Sequence, residues 1–181
     1  NMLRVLIYLI SIVTANVTTA ATMPLEFGIL IIPMGTFFAG ATFIFRDLVQ
    51  NKYGRKKTYL FILTALILSA VVSFFLGDTL MIVAASALSF IISETADTEI
   101  YTRLNLPIAW RVFYSGLGGG FLDSVVFVIV GLSPLGAGFI SWEAVPIAIL
   151  SQVLAKTVIQ MIGALILNRV YVERAKRVAV N

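Results

Sequence analysis

The chain of 181 residues is 60% hydrophobic and 12% charged, with a mean hydropathy of +1.01, whereas a soluble domain has roughly a quarter of its residues charged. That balance excludes a soluble fold, and at about 20 apolar residues per crossing the length suits an all-α integral membrane protein of six transmembrane helices in a single domain, residues 1–181. There is no cysteine and no histidine, which excludes disulfides, thiol nucleophiles, the imidazole base and most transition-metal or haem chemistry. No metal, cofactor or enzymatic activity is expected. The formal charge of +4 sits mainly at predicted membrane edges, so orientation explains it better than a nucleic-acid partner.

The first span runs from about Leu3 to Ala21. It begins with Arg4 and an apolar run, as a cleavable leader does. Its length, and the helical spacing of Thr14 with Thr18 and Asn16 with Thr19, argue instead for a retained helix with one inward polar face. Met2 is read as the native start. The second span, Phe27 to about Leu48, carries Pro33, Gly35 and Gly40 and is expected to kink near Pro33. It ends in the densest charge cluster, Arg46 to Lys57. The third, Tyr59 to Leu76, is almost purely apolar and reads as lipid-facing scaffold.

A turn at Gly77-Asp78 leads to the fourth span, which starts conventionally, Leu80 to Ile92, and then becomes polar through Ser93, Glu94, Asp97, Thr98 and Glu99. At 1.5 Å per residue from Asp78, Glu94 falls near the inner third of the bilayer. Pro107 breaks the chain before the fifth span, Ala109 to Gly131. A loop with Ser133-Pro134 and Glu143 precedes the sixth, Val145 to about Leu167, and the basic tail from Arg169 to Arg177 reads as an exposed helix end. Arg4, the cluster from Arg46 to Lys57, Arg103, Arg111 and the tail all fall on one side. Glu26, Asp78 and Glu143 fall on the other, without a basic residue. By the positive-inside rule both termini are cytoplasmic, in a multi-pass protein of the inner membrane.

Arg111 to Phe127, RVFYSGLGGGFLDSVVF, is the segment around which the remaining chemistry gathers. It places Asp123 at a depth where an ionised group costs from a few to more than about 10 kcal/mol. Lys156, inside the sixth span, is at a similar depth by residue count, and the two are expected to approach each other or a shared ligand. Ligand binding or proton coupling is one role, and a structural ion pair that fixes register is the other. Glu94, Asp97 and Tyr101 share a helix face and could take a cation or hydrogen-bond donors, whereas Glu99 reads as a solvated helix end beside Arg103. Gly116, Gly118, Gly119 and Gly120 allow either close helix packing or an unwound, ligand-binding backbone. Asp47 could simply pair with Arg46 or Lys52 among the headgroups.

Read together, these residues resemble the queuosine precursor transporters, also called the vitamin uptake transporter family. The match consists of D-L-x4-Y-G at Asp47, Leu48, Tyr53 and Gly54, S-x3-D-x3-Y at Ser93, Asp97 and Tyr101, R-L at Arg103-Leu104, S-x7-D-S at Ser115, Asp123 and Ser124, and the lone Lys156. It runs in order from the second span to the last. The resemblance implies import of 7-deazaguanine bases, 7-cyano-7-deazaguanine or its aminomethyl relative, by alternating access at a site between helices two, four, five and six. The substrate-binding residues expected for such a base are Asp47, Glu94, Asp97, Tyr101, Arg111, Ser115, Asp123 and Lys156, and chemical type alone assigns Tyr101 or Phe121 to the ring face. Where the family is expected to carry amides, this chain has Glu94 and Gly120, and the extra carboxylate suits a cationic ligand. The partners implied are the base and the lipid bilayer, and a homo-oligomer is left open. The competing readings are a substrate-binding membrane subunit of an energy-coupling vitamin importer, which requires ATPase partners, an intramembrane enzyme, and a structural assembly subunit.

Overall fold

Long apolar runs punctuated by proline and glycine give six long helices among residues 2–180, which the computed structural model describes, with side chains through Glu173. They are α1 (Leu3–Ala21), α2 (Gly35–Tyr53), α3 (Arg55–Phe75), α4 (Leu80–Arg103), α5 (Ile108–Val126) and α6 (Val145–Val180). A hairpin of β1 (Leu25–Phe27) and β2 (Leu30–Ile32) joins α1 to α2, a π-helical turn (Phe127–Leu132) prolongs α5, and a 3-10 turn (Trp142–Ala144) opens α6. Asn1, and the side chains of Arg174, Lys176 and Arg177 counted in the charge asymmetry, lie outside the described residues.

Among the described residues five of the helices are long and apolar enough to cross a membrane: α1, α3, α4, α5 with its π turn, and α6. The exception is α2, which holds Arg46, Asp47 and Lys52. Its packing supplies the reason this is tolerated, because α2 contacts each of the other five helices. A helix shielded on all sides by protein need not be apolar all round. By contrast α3 keeps Leu60, Leu63, Ile67, Val71 and Phe74 on the outside of the bundle, a stripe at i, i+3 and i+4 spacing that matches its expected scaffold role.

Cross-links between helices define two ends. At one, Arg4 Nη1 donates to the Leu48 carbonyl at 3.0 Å, Arg55 pairs with Glu99, and Arg111 donates to the Tyr101 carbonyl. At the other, Asn16 Nδ2 donates to Ser69 Oγ at 3.0 Å, and Gly35 lies so close to Ala15 and Thr19 that no side chain fits between them. The first is the basic end. Asp78, in the turn between α3 and α4, belongs to the second, where Ser73 bonds to it.

Two expectations are corrected. The second helix begins at Gly35 rather than Phe27 and runs on to Tyr53, and it has no kink at Pro33, which stands outside it. The residues before it pair as a hairpin in the register Phe27↔Leu30, with Gly28 at φ 60 in the first position of a two-residue turn, the place a II′ turn reserves for glycine. Pro33 also disfavours helix at the residue before it. The fourth helix remains helical through its polar stretch to Arg103. The glycine segment, for which packing and unwinding were both open, is continuous α-helix within α5, and its glycines let neighbours approach. Gly116 faces the Gln160 amide, Gly118 faces Ile100, Gly119 faces Asp97 and Phe43, and Gly120 faces the stem of Lys156.

Candidate functional site

All six helices contribute to one internal cavity of about 280 Å³. Its wall is polar for a membrane interior, with Asn16 and Thr19 from α1, Thr36 and Thr42 from α2, Ser69 and Ser73 from α3, Ser86, Ser89 and Ser93 from α4, and Gln152 from α6. Phe43, Phe90 and Phe127 supply flat apolar faces, the last from the π turn. Asp78, Thr19 and Ala20 are exposed at its mouth, so the cavity opens toward the end opposite the basic one. Glu94, Asp123 and Lys156 line its deep part.

Asp123 and Lys156 meet, as their depths imply. Lys156 Nζ donates to Asp123 Oδ2 at 2.7 Å and to Ser124 Oγ at 2.8 Å. The lysine is buried while Asp123 stays 21% exposed, which leaves its carboxylate reachable from the cavity. The stem of Lys156 lies along α5 beside Gly120.

Between the cavity and the basic end lies a second charged group, sealed from it except at Glu94. Arg46 is fully buried at its centre. Its guanidinium lies 2.9 Å from Asp47 Oδ1 and 3.2 Å from Glu94 Oε2, and it contacts Asp97 directly. Its Nη1 donates to Gln50 Oε1 at 2.8 Å and to Thr98 Oγ1 at 2.9 Å. Ser115 Oγ donates to Asp47 Oδ2 at 2.8 Å, and Gln50 Nε2 donates to Thr102 Oγ1 at 2.8 Å. The five-donor fork of arginine suits it to bind several acceptors in one plane. The Tyr8 hydroxyl, fully buried on α1, lies beside Glu94 without an aligned hydrogen bond.

The sequence-predicted residues therefore divide three ways. Glu94, Asp123 and Lys156 reach the cavity. Asp47, Asp97 and Ser115 belong to the sealed Arg46 layer, and Asp47 pairs with Arg46 inside the protein rather than among headgroups. Tyr101 and Arg111 sit apart at the basic end, where the Arg111 guanidinium lies 4.0 Å from the Tyr101 ring centroid and donates to its carbonyl at 2.9 Å. Neither Tyr101 nor Phe121 lines the cavity. Phe121 is 51% exposed on the outer face of α5, and the ring faces come from Phe43, Phe90 and Phe127 instead. Glu99 has the local role expected of it, with Arg55 at 2.6 Å as its closer partner and Arg103 at 3.9 Å.

Arg46 is the buried charge that the linear reading missed. It lies seven residues before the end of α2, or about 10 Å along the axis, too deep for the headgroups. Thr42, Arg46 and Gln50 recur at i, i+4 and i+8, and that polar stripe was the available signal.

A bundle of apolar helices around a cavity that carries buried charge defines a multi-pass membrane protein with room inside for a small molecule. A family profile described as Putative vitamin uptake transporter matches residues 72–170, which covers the cavity-lining parts of α4, α5 and α6. The chain belongs to that family. No curated protein and no solved structure matches it.

Proposed function

We propose that the protein crosses the inner membrane six times with both termini cytoplasmic, and imports a 7-deazaguanine base, 7-cyano-7-deazaguanine or its aminomethyl relative, by alternating access rather than by catalysing a reaction. The observation that carries this reading is the charged cavity, open at the end that lacks basic residues. With the basic end cytoplasmic, the mouth faces outward. A cavity of about 280 Å³ lies just below the roughly 300–1,000 Å³ range of ligand sites, which suits a ligand of one or two fused rings.

The wall chemistry is complementary to such a base. Asp123 and Glu94 are acceptors for ring N–H and amino groups, Lys156, Gln152 and Asn16 are donors for its carbonyl, and the three phenylalanines offer stacking faces. The Arg46 layer closes the path to the cytoplasmic end in this state, and inward release requires it to part. Alternating access around a central site is the usual geometry of such carriers. The test is uptake of both labelled bases by cells that can neither make nor import them, expressing the chain or its Asp123→Asn variant. Uptake by the native chain and its loss in the variant at equal membrane abundance is the expected result. Uptake that appears only with ATPase partners supplied would favour the energy-coupling subunit, and no uptake of either base by properly inserted protein would overturn the substrate.

A further inference from the structure

The charges inside the bundle do not balance. Four carboxylates face one another across the floor of the cavity and the layer beneath it, Asp47 from α2, Glu94 and Asp97 from α4, and Asp123 from α5. Among the described residues only two cations oppose them, Arg46 from α2 and Lys156 from α6. Lys156 is already committed to Asp123 at 2.7 Å. Arg46 alone is left for three carboxylates, and none of those three side chains is more than 1% exposed.

Among the described residues no other element supplies a balancing charge. From α3 the titratable groups reach α4 only at the basic end, where Arg55 and Tyr59 engage Glu99. The π turn, Phe127–Leu132, has no titratable residue. From α1 only Tyr8 faces the cluster, and it is a hydrogen-bond donor rather than a cation. Two uncompensated negative charges in a buried, lipid-surrounded layer are far more costly than the same groups made neutral. A bound metal is the less suitable remedy, because the Arg46 guanidinium occupies the space between the carboxylates, and among the described residues no three of them are arranged to hold an ion.

We infer that this layer carries exchangeable protons and that Glu94 is the group that takes up and releases the one coupled to transport. Glu94 is the member of the layer that also lines the cavity, so it is the carboxyl a proton from the outer aqueous phase reaches first. The Tyr8 hydroxyl, fully buried and without an aligned hydrogen bond, lies beside this same carboxyl and can donate to it when ionised or accept from it when protonated. In the outward-open state a proton adds to the Glu94 carboxylate, which loosens its hold on Arg46 Nε. When the layer parts toward the basic end, the same proton leaves to the cytoplasm and the carboxylate returns to Arg46. The step conserves charge as the movement of one proton inward with each cycle.

The inference rests on the transport reading but is tested separately from it. Infrared spectra of the purified chain in lipid, with no substrate added, are expected to show the carbonyl stretch of protonated carboxyl groups at neutral pH. The band should shift in deuterated buffer and weaken in Glu94→Gln. Absence of any such band in the native protein overturns the inference whatever the substrate proves to be, and needs no variant to fold. In proteoliposomes, an inward proton gradient is expected to raise accumulation of the labelled base at least several-fold over the same vesicles without one. Accumulation indifferent to the gradient overturns the coupling. If no base enters the vesicles at all, the substrate reading fails and the infrared measurement still decides the proton site.

Discussion

The bundle holds charge in two ways. Asp123 and Lys156 form a simple pair at the wall of a cavity, with one oxygen-bearing group left partly open, so a ligand can compete for either partner. Arg46, Asp47, Glu94 and Asp97 are instead closed around one another, with Gln50, Thr98 and Ser115 taking up further bonds. In the first region ligand contacts can replace the internal ones, and breaking the pair exposes its groups to cavity water. The second, apart from Glu94 where it meets the cavity floor, has no water to turn to, and removal of one partner strands the others. Charge buried in a bundle therefore has a structural or a functional consequence according to whether its partners can be exchanged.

The largest effect that distinguishes the regions is expected from Arg46→Met, which leaves three buried carboxylates without their cation. A loss of about 3–5 kcal/mol is expected when one partner of a buried ion pair is removed, read as a large fall in the unfolding midpoint in detergent and in membrane abundance. A wild-type midpoint in that variant would show that the layer is not the structural centre described above. Asp123→Asn is expected to act the other way round, with uptake reduced at least tenfold but stability lowered by only about 1.5–3 kcal/mol, as for a hydrogen bond to a charged group, because the buried Lys156 keeps Ser124 as an acceptor. Comparable unfolding losses in the two variants would erase the distinction.

Smaller changes sharpen it. A methyl group at Gly119 would press on the Asp97 side chain, Phe43 and the Ser93 carbonyl, and Gly119→Ala is expected to cost about 1–3 kcal/mol by overpacking, measured by thermal unfolding. The gain in helix propensity, about 1 kcal/mol, offsets part of that. Phe121→Leu should change stability by no more than about 0.5 kcal/mol and leave uptake as it was, because the ring lies on the outer face of α5. A loss of uptake there would restore the ring-stacking role that its chemical type suggested.

Much of the scaffold was legible because lipid demands long apolar helices. α1 has the bounds expected of it, and α3, α5 and α6 begin within a few residues of theirs. The meeting of Asp123 with Lys156 was legible too, since axial rise converts residue counts into depth. What was hidden depended on lateral packing. Arg46 looked like an edge residue because its sequence neighbours Lys52, Arg55, Lys56 and Lys57 are edge residues, and only the contact of α2 with every other helix makes its position interior. The hairpin was hidden because Leu25, Phe27, Ile29 and Ile31 are as apolar as a span, so Pro24, Gly28 and Pro33 were the only marks of a break. Tyr101 and Arg111 shared sequence proximity with the site but not its space, since α4 carries Tyr101 nearly two turns past Glu94 toward the basic end.

The central claim is that, in this state, the cavity is open from the end lacking basic residues and the Arg46 layer is shut. The chain has no cysteine, so single substitutions report access without background. Ser86→Cys lies in the cavity wall and Ser115→Cys lies within the sealed layer. With intact cells and a membrane-impermeant thiol reagent applied outside, Ser86→Cys is expected to be labelled and Ser115→Cys to stay unlabelled. Labelling of Ser115→Cys from outside, or protection of Ser86→Cys there with ready labelling from the cytoplasmic face, would contradict the account.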